Sequence, residues 1–153
     1  MDKAKVIEKF NQAVALELTG LLQYNQYAQV VLGTDRRLWA DFFKESADES
    51  LEHARLFASK VVALGGVPTV ETEPVKQSAD AREMLEISLA HERRAVAIYT
   101  EALALCEDSP AYRNILEDQI QQETEDCEEI EKYLNQIPKI GAAKGDKRSS
   151  KSA

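Results

Sequence analysis

The sequence predicts an all-α protein, an up-down bundle of four long helices with a long crossover between the second and the third. Three observations predict it. Apolar residues recur at helical spacing through four separate stretches. The composition suits helices better than a sheet, with 44% hydrophobic residues, only 7% aromatic, and 6 Gly and 4 Pro in 153 residues. All of those Gly and Pro but Gly20 fall at the ends of the stretches or outside them, which leaves two short links and one long one.

The first stretch runs from about Lys3 to Leu32, with an apolar stripe through Val6, Phe10, Val14, Leu21, Tyr24, Ala28 and Val31. Gly33 is placed to end it, and Thr34 or Asp35 to cap the second helix. That second stretch runs from about Arg36 to Leu64, carries Trp39, Phe43, Ser46, His53, Phe57 and Val61 on one side, and stops at Gly65-Gly66. Pro68 and Pro74 then break any helix in GGVPTVETEPVKQSAD, a connection long enough to travel the length of a bundle. The third stretch starts near Ser78 to Asp80, where Asp80 and Glu83 have capping-box spacing, and continues through Leu85, Ser88, Glu92, Val96, Tyr99 and Leu103. Ser109-Pro110 opens the fourth as cap and first helical residue. It carries Tyr112, Leu116, Ile120, Glu123, Cys127, Ile130, Leu134 and Ile137 as far as Pro138. One domain is therefore expected over 1–140, followed by a flexible, basic C-terminal tail over 141–153.

With 27 acidic and 19 basic residues the net charge is -8, which attracts cations and argues against a phosphate-driven partner such as nucleic acid. Neither a signal segment nor an 18-residue apolar run is visible, so the expectation is a cytoplasmic protein without a membrane span. The two cysteines, Cys106 and Cys127, lack C-x-x-C spacing and read as free thiols.

The chemistry lies where the apolar stripes are interrupted. Glu17 stands between Val14 and Leu21 on the first helix, Glu92 between Ser88 and Val96 on the third, and Glu123 between Ile120 and Cys127 on the fourth. His53 takes an inward position on the second, one turn before Phe57. A buried carboxylate loses its hydration and must either protonate or find a cation. Several at similar depth on adjacent helices repel one another unless metal ions stand between them. Glu49 shares a face with His53 four residues on, and Asp126 shares one with Glu123 three residues back. Tyr24 follows Glu17 by seven residues, and Tyr99 follows Glu92 by seven. Each phenol can therefore reach a carboxylate on a neighbouring helix, or serve only as a core tyrosine.

These residues resemble a known family. ELTGLLQY (17–24), SLEHARLFASKVVALGGVP (50–68), SLAHE (88–92) and ILEDQIQQETED (115–126) are similar to the ferritin-like superfamily, bacterioferritins and related bacterial di-iron proteins in particular. The similarity spans about residues 5–141. It implies the ferritin-like bundle and a site with one Glu from each of the first and third helices and a Glu-x-x-His from each of the others. Glu17 and Glu92 match the single carboxylates, His53 the second-helix histidine, Glu123 the fourth-helix glutamate, and Tyr24 the nearby tyrosine. Two positions depart from the pattern: Ser50 stands where the second-helix Glu is expected, and Asp126 where the fourth-helix His is expected. Glu49 is then the substitute carboxylate, and Asp126 a shorter ligand for a hard cation.

The resemblance implies two iron ions per chain, with manganese as the other metal such ligands suit, and oxidation of ferrous iron by oxygen or peroxide, with storage if a shell forms. Leu51 occupies the position of the family's haem-ligating Met, which argues against haem. A homo-oligomer, at least a dimer, is expected. The alternatives are a non-catalytic scaffold whose metal site has degenerated, in line with Ser50 and Asp126, and a di-iron oxidase acting on an organic substrate.

Overall fold

In the computed structural model residues 1–135 are described. They form four helices, α1 (Lys3–Val30), α2 (Arg36–Ala63), α3 (Ala81–Leu105) and α4 (Pro110–Tyr133). Contacts along the chain fix the directions. Glu17 meets Tyr99 and Tyr24 meets Glu92, so α1 and α3 are antiparallel. Phe10 packs on Phe57 while Tyr24 stacks on Phe43, so α1 and α2 are antiparallel too. Thus α2 and α3 point the same way, which requires the connection between them to return along the bundle. Residues 65–80 can span about 50 Å when extended, and a 28-residue helix is about 42 Å long. The crossover therefore has just enough chain for the journey.

A polar ladder on α1 holds it there. Asn11 donates to the carbonyl of Val67 at 3.1 Å and accepts from the N–H of Thr69 at 2.8 Å. Thr19 accepts from the N–H of Glu73 at 2.8 Å, and Gln23 from that of Lys76 at 3.1 Å. The Tyr27 hydroxyl donates to the carbonyl of Lys76 at 2.5 Å. These α1 residues stand one or two turns apart on one line, so an extended segment that lacks sheet partners finds its backbone partners in helix side chains.

The helix ends match the sequence in some places and depart in others. At the end of α2, Gly65 adopts φ +89 and a Schellman motif forms, with Gly66 N–H to Val61 O and Gly65 N–H to Val62 O, both at 2.9 Å. α1 stops at Val30, two residues before Leu32, and Gly33 does not terminate it. Instead the Arg36 guanidinium donates to the carbonyls of Gln29 and Val31, taking up orphaned acceptors of the last turn. Asp35 and Ser109 hold the N-cap positions of α2 and α4 without a side-chain capping bond. At α3, Asp80 accepts from the N–H of Glu83 at 2.8 Å, but the return half of the box runs through Ser78. Its hydroxyl accepts from Asp80 N–H and donates to the Glu83 carboxylate. α4 ends at Tyr133, with Asn135 in the left-handed region (φ 57), before Ile137 is reached. The stop expected at Pro138 and the tail over 141–153 lie outside the described residues.

The core is in two halves. One is built on Phe10, Val14, Phe57, Val61, Tyr99 and Leu116, the other on Tyr24, Tyr27, Phe43, Met84, Leu85 and Ile130. Between them the buried residues are polar: Glu17, Ser50, His53, Ser88, Glu92 and Glu123. No helix among the described residues is long and apolar enough to cross a membrane.

Candidate metal centre

Each helix delivers its polar residue to this middle layer because that residue sits on the same helical line as its apolar neighbours. Glu17 and Glu123 are each only 1% exposed, while His53 and Glu92 are 8% exposed. One ligand atom each of Glu17, His53 and Glu123 falls within 4.8 Å of the others. His53 Nδ1 stands 2.8 Å from Glu123 Oε1 and 4.0 Å from Glu17 Oε1. Glu123 Oε1 nevertheless has no hydrogen-bond partner, so the close approach to His53 is not aligned as a hydrogen bond. The other ring nitrogen, Nε2, lies 3.2 Å from Gln122 Oε1, which leaves Nδ1 facing the carboxylates. An imidazole nitrogen and two carboxylates that converge at these distances could share a cation.

The two tyrosines cross over between helices. Tyr99 on α3 donates to Glu17 on α1, and Tyr24 on α1 donates to Glu92 on α3. Each bond joins one half of the core to the polar layer and fixes a carboxylate rotamer. Burial, together with the neighbouring Glu92, pushes the Glu17 carboxyl up to about 7, against which His53, Tyr99 and Ser50 pull down. Burial and Glu17 push Glu123 up to about 8. Glu92 is raised well above the carboxylate range by burial and by the neighbouring Glu123. Burial and mutual repulsion thus favour the protonated carboxyls while no cation is bound, and a bound cation would favour their release.

Glu49 and Asp126 stand further out. They line the solvent side of a cavity of about 210 Å³ that opens between α2 and α4 and has His53, Glu92 and Glu123 on its inner wall. Glu49 is exposed and Asp126 half-buried. Burial raises both carboxyls, Asp126 adding to the effect on Glu49. Neither belongs to the inner group of three, and α2 runs through Glu49 as uninterrupted α-helix. Ser50, in place of a ligating carboxylate, is buried and close enough to Glu17 to pull its carboxyl down slightly.

Gln122 and His91 were not among the sequence candidates. Gln122 and His91 each immediately precede a ligand candidate, so helical periodicity turns them about 100° off the inward line. They reach back by side-chain length. Burial holds the His91 imidazole down to about 4, hence neutral.

The donor set is one imidazole with carboxylates, rich in oxygen, which fits iron or manganese. The sequence matches the Ferritin-like domain family over residues 7–140. It is 32% identical over 144 residues to a bacterioferritin of Rhodobacter capsulatus, covering 90% of this chain and 88% of that one. To a bacterial ferritin of Pseudomonas aeruginosa it is 25% identical, covering 90% and 91%. Among solved structures, a ferritin-like di-iron carboxylate protein of Bacillus anthracis superposes with a TM-score of 0.85 at 32% identity, covering 88% of this chain and 99% of that one. The bacterioferritin-related dodecameric thioferritin of Bacteroides fragilis superposes with a TM-score of 0.81 at 25% identity, covering 90% and 88%.

Proposed function

The chain belongs to the ferritin-like domain family, and we propose that its buried polar layer binds two ferrous ions and passes their electrons to oxygen or peroxide. The observation that supports this best is the convergence of Glu17, His53 and Glu123 with ligand atoms within 4.8 Å of one another, braced by the crossed tyrosines. Glu17 and His53 serve one ion, and Glu123 with Asp126 serves the other. Glu92 and, from the solvent side, Glu49 are the shared carboxylates. Two ferrous ions supply two electrons, enough with two protons to reduce oxygen to hydrogen peroxide or hydrogen peroxide to water.

The chain's own contribution is electrostatic and positional. Carboxylates that hold protons in the buried layer release them when a cation enters, and their negative charge then favours the ferric over the ferrous state. Tyr99 and Tyr24 keep Glu17 and Glu92 in place through that change. The exposed carboxylate of Glu49 and the half-buried one of Asp126 mark the path by which a cation arrives.

Aerobic addition of ferrous iron tests this reading. Oxidation faster than in buffer alone, and slowed at least about tenfold in Glu17→Ala and Glu92→Ala, is the expected result. Oxidation no faster than buffer would instead favour a non-catalytic protein with a degenerate site, for which Ser50 in the place of a ligating Glu is the argument.

A further inference from the structure

We propose that the cavity beside Ser50 takes a short-chain monocarboxylate from solution, bound only together with the cations of the layer. The inference rests on the metal reading of that layer. Helices α1, α3 and α4 each give the layer a buried carboxylate, Glu17, Glu92 and Glu123, whereas the buried polar residues of α2 are Ser50 and His53. Two ferrous ions bring four positive charges to three carboxylates at that depth, which leaves one charge unmatched by a buried group. Glu49, the neighbouring carboxylate of α2, is exposed, and the helix runs through it without a bulge that would turn it inward.

Ser50 has open space on one side. It lines the cavity of about 210 Å³ together with His53, Glu92 and Glu123. On its other side α1 comes close, since a Cβ built on Gly20 would stand 2.7 Å from Ser50 Oγ. The cavity is therefore the open side of the hydroxyl, and a carboxylate entering there can accept its one hydrogen. Phe42, Ile130 and Tyr133 line the same cavity and offer a short alkyl chain an apolar wall, which favours acetate or propionate over a halide. The remaining lining sets the order of binding. Glu45, Glu49, Asp126 and Glu129 repel an anion that arrives alone, whereas bound cations attract it. Anion and cation then bind with positive coupling, and each tightens the other by the same factor.

Cobalt(II), followed by its visible absorption, is the probe, titrated in acetate and in perchlorate at equal ionic strength, with circular dichroism reporting folding. Acetate is expected to tighten cobalt binding about tenfold, and to give no binding heat with metal-free protein. Ser50→Glu carries the carboxylate on the chain, so it is expected to bind cobalt tightly in perchlorate and to lose the response to acetate. If Ser50→Glu does not fold, Glu49→Gln carries the test, with the acetate response of the unsubstituted protein retained. Equal cobalt affinity in the two salts would overturn the carboxylate site while leaving the metal reading standing. So would acetate binding to metal-free protein, a response that Ser50→Glu keeps, or one that only Glu49→Gln shows. No cobalt bound in either salt overturns the metal reading, and the carboxylate site with it.

Discussion

Glu17 and Glu123 have their carboxyl groups lifted from 4.5 to about 7 and about 8. Groups raised in the folded state bind more protons folded than unfolded, so their contribution to stability is fully present below about 4.5 and is lost as pH rises through about 7 to 8. For protein stripped of metal we predict a thermal midpoint that falls between pH 5 and pH 8, and that a divalent cation restores at pH 8. A midpoint that rises over that range would contradict the burial assigned to these carboxylates. Tyr99→Phe takes the donor from Glu17 and leaves the ring in contact with Phe57. It should lower cation affinity about tenfold while leaving the fold intact, as calorimetric titration would show. The four inner candidates, Glu17, His53, Glu92 and Glu123, were legible in the sequence because a charged residue on an apolar line has few explanations. Gln122 and His91 were not, because a residue 100° off that line looks like surface: Gln122 is indeed exposed and meets His53 only through its side-chain amide, while His91 is half-buried.

At the scale of elements, the helices were legible and their ends less so. Periodicity located all four, and Gly65-Gly66 closed α2 where expected. The end of α1 depends on Arg36, which lies in the next helix, and the return half of the Asp80–Glu83 box passes through Ser78. Neither follows from the one-residue preferences by which helix ends are read. The seat of the crossover was equally hidden, since the partners of Asn11 lie 56 and 58 residues away. Asn11→Ala leaves the carbonyl of Val67 and the N–H of Thr69 without these partners and should destabilise the protein by about 1–2 kcal/mol in urea unfolding. It should also speed proteolytic cleavage between α2 and α3; unchanged cleavage would mean the ladder does not hold the segment. Gly65→Ala forces a side chain into φ +89 and should cost about 1–2 kcal/mol by the same measurement.

Viewed whole, the molecule is two apolar cores held apart by a layer of carboxylates, an arrangement that makes sense if something charged joins them. Its outer surface is uneven as well. The large apolar residues that are exposed, Leu22, Leu38, Val62, Val67 and Val70 among them, lie mostly on α1, α2 and the crossover; α3 has none among those described. That distribution favours self-association through the α1–α2 side. Light scattering should give at least a dimer at micromolar concentration, and a monomer would show that this surface is left bare. The larger claim is the layer itself. Anaerobic titration with ferrous iron, with free metal measured at equilibrium, should give two tightly bound ions per chain and fewer than two in Glu92→Ala and Glu123→Ala. No bound iron, or binding indifferent to both substitutions, would contradict it.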